Sequence, residues 1–167
     1  MPKIIRTLLA MSLMSLAALS GQPAIADDGC EYRDNEKRTM TEVNDRRDNN
    51  GRDRLSWDLA LARVARHHTI KMAANGDIFH NLEHNGTHIT KWSGLGEVIG
   101  RVSHKDTDQQ SVMSLVNALM ASDAHRSIIL DSSWKYLGAG TVKGKDYLWV
   151  TVIFERDSNP GTTFHSC

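Results

Sequence analysis

The sequence predicts one globular domain of the α+β class, and three observations carry that prediction. Apolar residues recur at three- and four-residue spacing from Trp57 to Met72 and again from Val112 to Met120, the mark of two amphipathic helices. The pattern changes in the last third, where Tyr136 to Val142 and the strongly β-forming run Tyr147 to Glu155 flank Lys143-Gly144-Lys145-Asp146, as the strands of a hairpin flank its turn. The chain has 167 residues, 40% of them hydrophobic, enough for one core of native size. Its 20 basic and 20 acidic side chains balance. That leaves no surplus charge to neutralise nucleic-acid phosphates or to form a polybasic membrane anchor, so neither partner is expected.

The first residues stand apart from the fold. Lys3 and Arg6 precede an apolar run from about Leu8 to Leu19, and Ala24-Ile25-Ala26 follows, which together read as a secretory signal peptide cleaved after Ala26. The run is too short for the roughly 20 residues of a membrane helix, and no second apolar span follows. Cys30 comes after Asp27-Asp28-Gly29 without the upstream Leu of a lipoprotein site, so the product reads as soluble and secreted or periplasmic. Cleavage would leave 141 residues and, with Lys3 and Arg6 gone, 18 basic against 20 acidic side chains. Cys30 and Cys167 stand at the two extremities of that exported chain, where an oxidising compartment favours a disulfide between them. Such a bridge would stabilise by roughly 4–5 kcal/mol in the chain-entropy account. Two free thiols or a bridge to another chain are the alternatives.

Taken in order, the elements each have a local reason. Glu31 to Arg54 holds seven basic and seven acidic residues and reads as a solvated face. Met40 and Val43 are its only helix-spaced apolar pair, so a short helix is expected from about Thr39 to Arg47, broken by Asn49-Asn50-Gly51. Asp58 is placed to cap the next helix, whose buried face carries Leu61, Val64, Ala65, His68 and Met72 and which Asn75-Gly76 ends. Ile78 to Val102, with Gly86, Gly94, Gly96 and Gly100, reads mostly as loop around a short strand at Glu97-Val98-Ile99. A helix from about Asp108 to Ala121 follows, capped by Thr107 or Asp108, with Val112, Leu115, Val116 and Leu119 on its apolar stripe. His125 to Leu130 reads as a further helical turn entered through Asp123, ahead of the antiparallel hairpin. Trp57, Trp134 and Trp149 are expected in the core.

Eight histidines follow Ala26, yet the local motifs among them are weak. His80-Asn81-Leu82-Glu83-His84 matches the H-x-x-E-H pattern of inverted zinc peptidases, in which two imidazoles one helical turn apart grip zinc. Gly76-Asp77 before it and Asn85-Gly86 after it deny the helix which that geometry needs, and the spacing of His80, His84 and His88 fails for the same reason. Phosphate-binding glycine loops and the G-x-S-x-G elbow are absent from the sequence.

What remains is a set of separated blocks. Ile78-Phe79-His80-Asn81, Trp92-Ser93-Gly94-Leu95-Gly96-Glu97-Val98-Ile99-Gly100 and Ala118-Leu119-Met120-Ala121-Ser122-Asp123-Ala124-His125-Arg126-Ser127-Ile128-Ile129-Leu130 occur in that order. Leu137-Gly138-Ala139-Gly140 and Trp149-Val150-Thr151-Val152-Ile153-Phe154 follow them. In this arrangement the chain resembles the CAP superfamily, the SCP-like secreted proteins of bacteria, over about Thr39 to Arg156. The resemblance implies a three-layer αβα sandwich with a central antiparallel sheet. It divides the chain into a signal peptide (1–26), a charged extension (27–38), the CAP-like domain (39–156) and a polar tail (157–167).

The resemblance also implies a cleft in which two histidines and one or two glutamates face each other and take up a divalent metal, commonly zinc. His80, Glu97 and His125 occupy the matching positions. Two neutral imidazoles and a carboxylate suit zinc and leave a fourth position open. The sequence departs from the family at Val98, where Asn usually follows the glutamate, at Asp123-Ala124 before the histidine, and at Leu119, where Trp is common. No acidic residue between Leu115 and Ser122 supplies a second glutamate, so a weaker metal site is expected. The function implied is binding of an extracellular ligand, a lipid, a cell-wall component or a protein. The alternatives are a metal-dependent hydrolase with Glu97 as ligand or general base, and an interaction module whose cleft is vestigial.

Overall fold

The computed structural model describes residues 33–81 and 94–157. The expected leader, Cys30, Cys167, His84, His88 and Trp92 lie outside them, as does the tail beyond 157. The described elements are α1 (Asp34–Asp48), β1 (Ser56–Trp57), α2 (Leu59–Asn75), β2 (Leu95–Ser103), α3 (Asp108–Ala121), α4 (Asp123–Ile129), β3 (Tyr136–Lys143) and β4 (Tyr147–Glu155). One four-stranded sheet has the order β1-β3-β4-β2. The long pairings β3/β4 and β2/β4 are antiparallel, and the two residues of β1 run parallel to β3. None of the described helices is long and apolar enough to cross a membrane.

Alternation along β4 shows how the layers form. Leu148, Val150, Val152 and Phe154 share one core cluster with Met40 and Val43 of α1 and Leu115 of α3. The intervening residues face the other way, Ile153 onto Leu61, Val64 and Ala65 of α2, and Trp149 onto Met72. The sheet is therefore sandwiched, with α2 on one face and α1, α3 and α4 on the other, the αβα arrangement expected. Thr107 and Asp58 cap α3 and α2 through bonds to Gln110 N and Leu61 N, and Gly76 ends α2 in the left-handed conformation.

The alternating glycines of β3 set the closeness of α2. A methyl group on Gly138 or Gly140 would run into the α2 backbone at Ala62 or Arg66. Because the obstacle is backbone and cannot rotate aside, Gly140→Ala is expected to lower the unfolding free energy by about 2 kcal/mol. Urea denaturation checks this, and an unchanged midpoint would show that α2 can lift.

Several local expectations are corrected. The first helix begins at Asp34, five residues early, because Glu36 accepts the Arg33 N–H at 2.9 Å and so ties down the first turn. Its charged stretch is only partly solvated, since Glu36, Asn44 and Arg47 are buried. The strand around Glu97 spans nine residues, Leu95–Ser103, all paired with β4. Its glycines mark close packing, Gly96 against Trp134 and Gly100 against Leu115 and Leu119. Asp123 lies inside the first turn of α4, paired with Arg126, and Ser122 holds the cap position. Trp134 and Trp149 are buried, whereas Trp57 on the edge strand β1 is 40% exposed.

Arg47 straps distant parts together. Its Nη1 donates to the carbonyls of Ile129 at 2.6 Å and Asp131 at 2.9 Å, and its Nε donates to the Asp53 carbonyl at 2.9 Å. The C-terminal end of α1 is thus fixed to the end of α4 by a buried guanidinium, and burial holds its pKa below the usual arginine range.

Candidate functional site

Strand β2 lies at an edge of the sheet, and its outer side forms the floor of a cavity of about 460 Å³. His80 reaches it from the segment that follows α2, and His125 from the first turn of α4 on the opposite side. Phe79, Leu115 and Leu119 supply apolar wall, and Ile99, Gly100 and Arg101 of β2 contribute the floor.

Glu97 holds His80 in place. Its position on β2 opposite Ile153 sets it on the α2 side of the sheet, with only 7% of its side chain exposed. Oε1 accepts from His80 Nδ1 at 2.7 Å and from the Asn81 N–H at 3.1 Å. Since an ionised carboxylate only accepts, Nδ1 is the donor in this contact. Val98, which stands where the family usually has Asn beside the cleft glutamate, points into the main core, because neighbouring residues of a strand face opposite ways.

His68 belongs to this constellation, and sequence reasoning placed it only on the buried face of α2. Its Nε2 donates to the Phe79 carbonyl at 2.7 Å, its ring meets the Phe79 ring edge-on at 5.2 Å, and Glu97 Oε2 lies 4.0 Å away. It thereby props the 77–81 segment that carries His80. A histidine on an otherwise apolar helix face was the available signal, since a buried imidazole needs a partner.

His125 is half-buried. Desolvation first, and then the neighbouring His80, hold its pKa below the usual imidazole range. It is neutral at neutral pH, with a ring nitrogen able to act as ligand or acceptor. Arg126 beside it serves the helix, meeting Asp123 and donating to the Met120 carbonyl at 3.1 Å. The two histidines thus line one cavity, while Glu97 stands behind His80. Among the described residues no three His, Cys, Asp or Glu side chains are grouped to hold a metal ion.

The family model for CAP, the cysteine-rich secretory protein family, matches residues 40–154, and the chain belongs to that family. Among solved structures, it is similar to an outer surface protein from Borrelia burgdorferi, with 18% identity and a TM-score of 0.60, covering 77% of this chain and 96% of that one. A Bacillus anthracis extracellular protein containing an SCP domain gives 20% identity and a TM-score of 0.58, with 74% of this chain and 40% of that longer chain covered. NaASP2 with Zn2+ gives 11% identity and a TM-score of 0.60, with 81% and 86% covered. At these identities the likenesses speak to the fold. No curated protein matches the chain.

Proposed function

We propose that the chain is an exported binding protein whose cleft along β2 takes an extracellular ligand between His80 and His125. The observation that carries this reading is that both histidines line one cavity from opposite sides, with His80 oriented through Nδ1 by Glu97. A signal peptide ending at Ala26 and a Cys30–Cys167 disulfide belong to the same proposal, consistent with a family of secretory proteins.

The donor set suits zinc only in part. Nε2 of His80 and a ring nitrogen of His125 would be the ligands, and Glu97 would act through His80, as carboxylates behind metal-bound imidazoles do. A bound zinc ion would supply positive charge to polarise an oxygen of the ligand. With two imidazoles and no second glutamate, weak binding is expected.

Calorimetric titration with zinc tests the cleft. The protein is expected to take up about one equivalent. A His80→Ala/His125→Ala double variant with unchanged circular dichroism should take up none. Equal uptake by both would move the metal elsewhere, and no uptake by either would leave the histidines with a structural role.

A further inference from the structure

We propose that a second cavity, at the start of α1, takes a free α-amino acid, with Asp34 receiving the ammonium and Arg38 the carboxylate. It holds about 370 Å³ between the first turns of α1 and α3 and the end of β3, and it shares no lining residue with the cleft along β2. Its walls carry both signs of charge, Arg33, Arg38 and Lys143 against Asp34 and Asp108. Walls of that kind favour neither a bare anion nor a bare cation, and their complement is a molecule that carries both charges.

The groups around Asp108 are already engaged, and what is left over has the pattern of a zwitterion. Lys143 Nζ donates to Asp108 Oδ1 at 2.7 Å, and Asn35 Nδ2 donates to Asp108 Oδ2 at 3.3 Å. Asn35 Oδ1 in turn accepts from Arg38 Nη1 at 3.0 Å, which holds the guanidinium in place while its other N–H groups stay available. Asp34 and Arg38 stand one turn apart on α1, yet among the described residues neither forms an ion pair, with the other or with a third group. Side chains so placed are about 5–6 Å apart at Cβ. In an α-amino acid the two charges flank a single carbon, so one small molecule spans both side chains. Thr141 lines the same cavity from the face of β3 that carries Leu137 and Ala139. It is 6% exposed, and its hydroxyl has no hydrogen-bond partner among the described residues. A sheltered hydroxyl costs free energy until it is bonded, and a carboxylate oxygen of the ligand supplies the acceptor. Among the described lining residues Val142 alone is apolar, so a small or polar amino acid is expected.

NMR titration with L-alanine, sodium propionate and ethylammonium chloride tests this, since the last two each lack one of the two charged groups. The Arg38 Nε–H and Thr141 amide resonances are followed, with the His80 and His125 rings as the control. L-Alanine is expected to shift the first pair in a saturable way, at least about tenfold more tightly than either other probe, and to leave the histidines still. Arg38→Gln should lose about tenfold for L-alanine. Asp34→Asn should lose about as much, yet bind propionate more tightly than the parent does, because a repelling carboxylate has gone; a mere disturbance of the first turn would give no such gain. Thr141→Val should weaken L-alanine about threefold. Circular dichroism confirms that each variant is folded. Either single-charge probe binding as tightly as L-alanine overturns the proposal, as does undiminished L-alanine binding by Arg38→Gln or Asp34→Asn. Absence of a saturable shift, or shifts confined to the histidines, overturns it too. The cleft along β2 is judged separately, by zinc uptake.

Discussion

Arg66→Ala is expected to destabilise the protein by about 3–5 kcal/mol, because it strands a carboxylate in the interior. Arg66 and Glu36 are both fully buried and meet in a fork, Nε to Oε1 at 2.7 Å and Nη2 to Oε2 at 2.6 Å. They belong to α2 and α1, which lie on opposite faces of the sheet, so the pair joins the two outer layers. Strand β1 covers only Tyr136 and Leu137 of β3, and Arg66 stands beside Gly140, beyond the end of that cover. Removing one partner leaves the other charged group without its counterion, whereas replacing both by apolar residues of similar size removes the desolvation cost as well. Urea denaturation of Arg66→Ala, Glu36→Ala and the Glu36→Leu/Arg66→Met double variant checks this. The single variants should fall far below the parent, and the double variant should come close to it. Single variants as stable as the parent would mean that water reaches the pair.

Glu155→Gln should stabilise the protein at pH 8 and change little near pH 4. Glu155 ends β4 on the α2 side of the sheet, between its register partners Leu95 and Tyr136. It is fully buried, and neither carboxyl oxygen has a hydrogen-bond partner among the described residues. Burial, with Asp58 and Asp157 adding to it, pushes its pKa up to about 7. Below the ordinary value of 4.5 both folded and unfolded chains hold the proton, and the stability associated with it is fully present. Between 4.5 and about 7 the unfolded chain has released the proton that the folded chain keeps, so stability falls as pH rises, and above about 7 the loss is complete. The deficit is about 2–3 kcal/mol as a ceiling, since water near the end of the sheet screens part of it. Urea midpoints of parent and variant at pH 4, 6 and 8 should diverge with rising pH. A constant difference across that series would show that Glu155 does not titrate in this range.

The sequence yields the elements whose causes are local. Asp58, Gly76 and Thr107 are caps that act within one turn, so α2 and α3 can be bounded from their own residues. The turn at Lys143 to Asp146 delimits the hairpin in the same way. Glu36 and Arg66 escape such a reading because they are 30 residues apart and each resembles a surface charge in its own segment. Strand β2 escapes because a glycine that admits Trp134 looks the same in a string of letters as a glycine in a loop. The site divides along the same line. His80, Glu97 and His125 were legible only through resemblance to a family, since no local spacing joins them. The support that His68 gives to Phe79 depends on where the chain returns after α2.

The strap at Arg47 bears on the cleft, although the residue does not line it. His125 sits one helical turn before Ile129, whose carbonyl is gripped by that buried guanidinium. The opposite jaw, carrying His80, is registered to β2 through Glu97. The gape between the two imidazoles is therefore gauged from both ends by groups outside the opening. What the cleft admits can be recalibrated by substitutions that never touch its occupant.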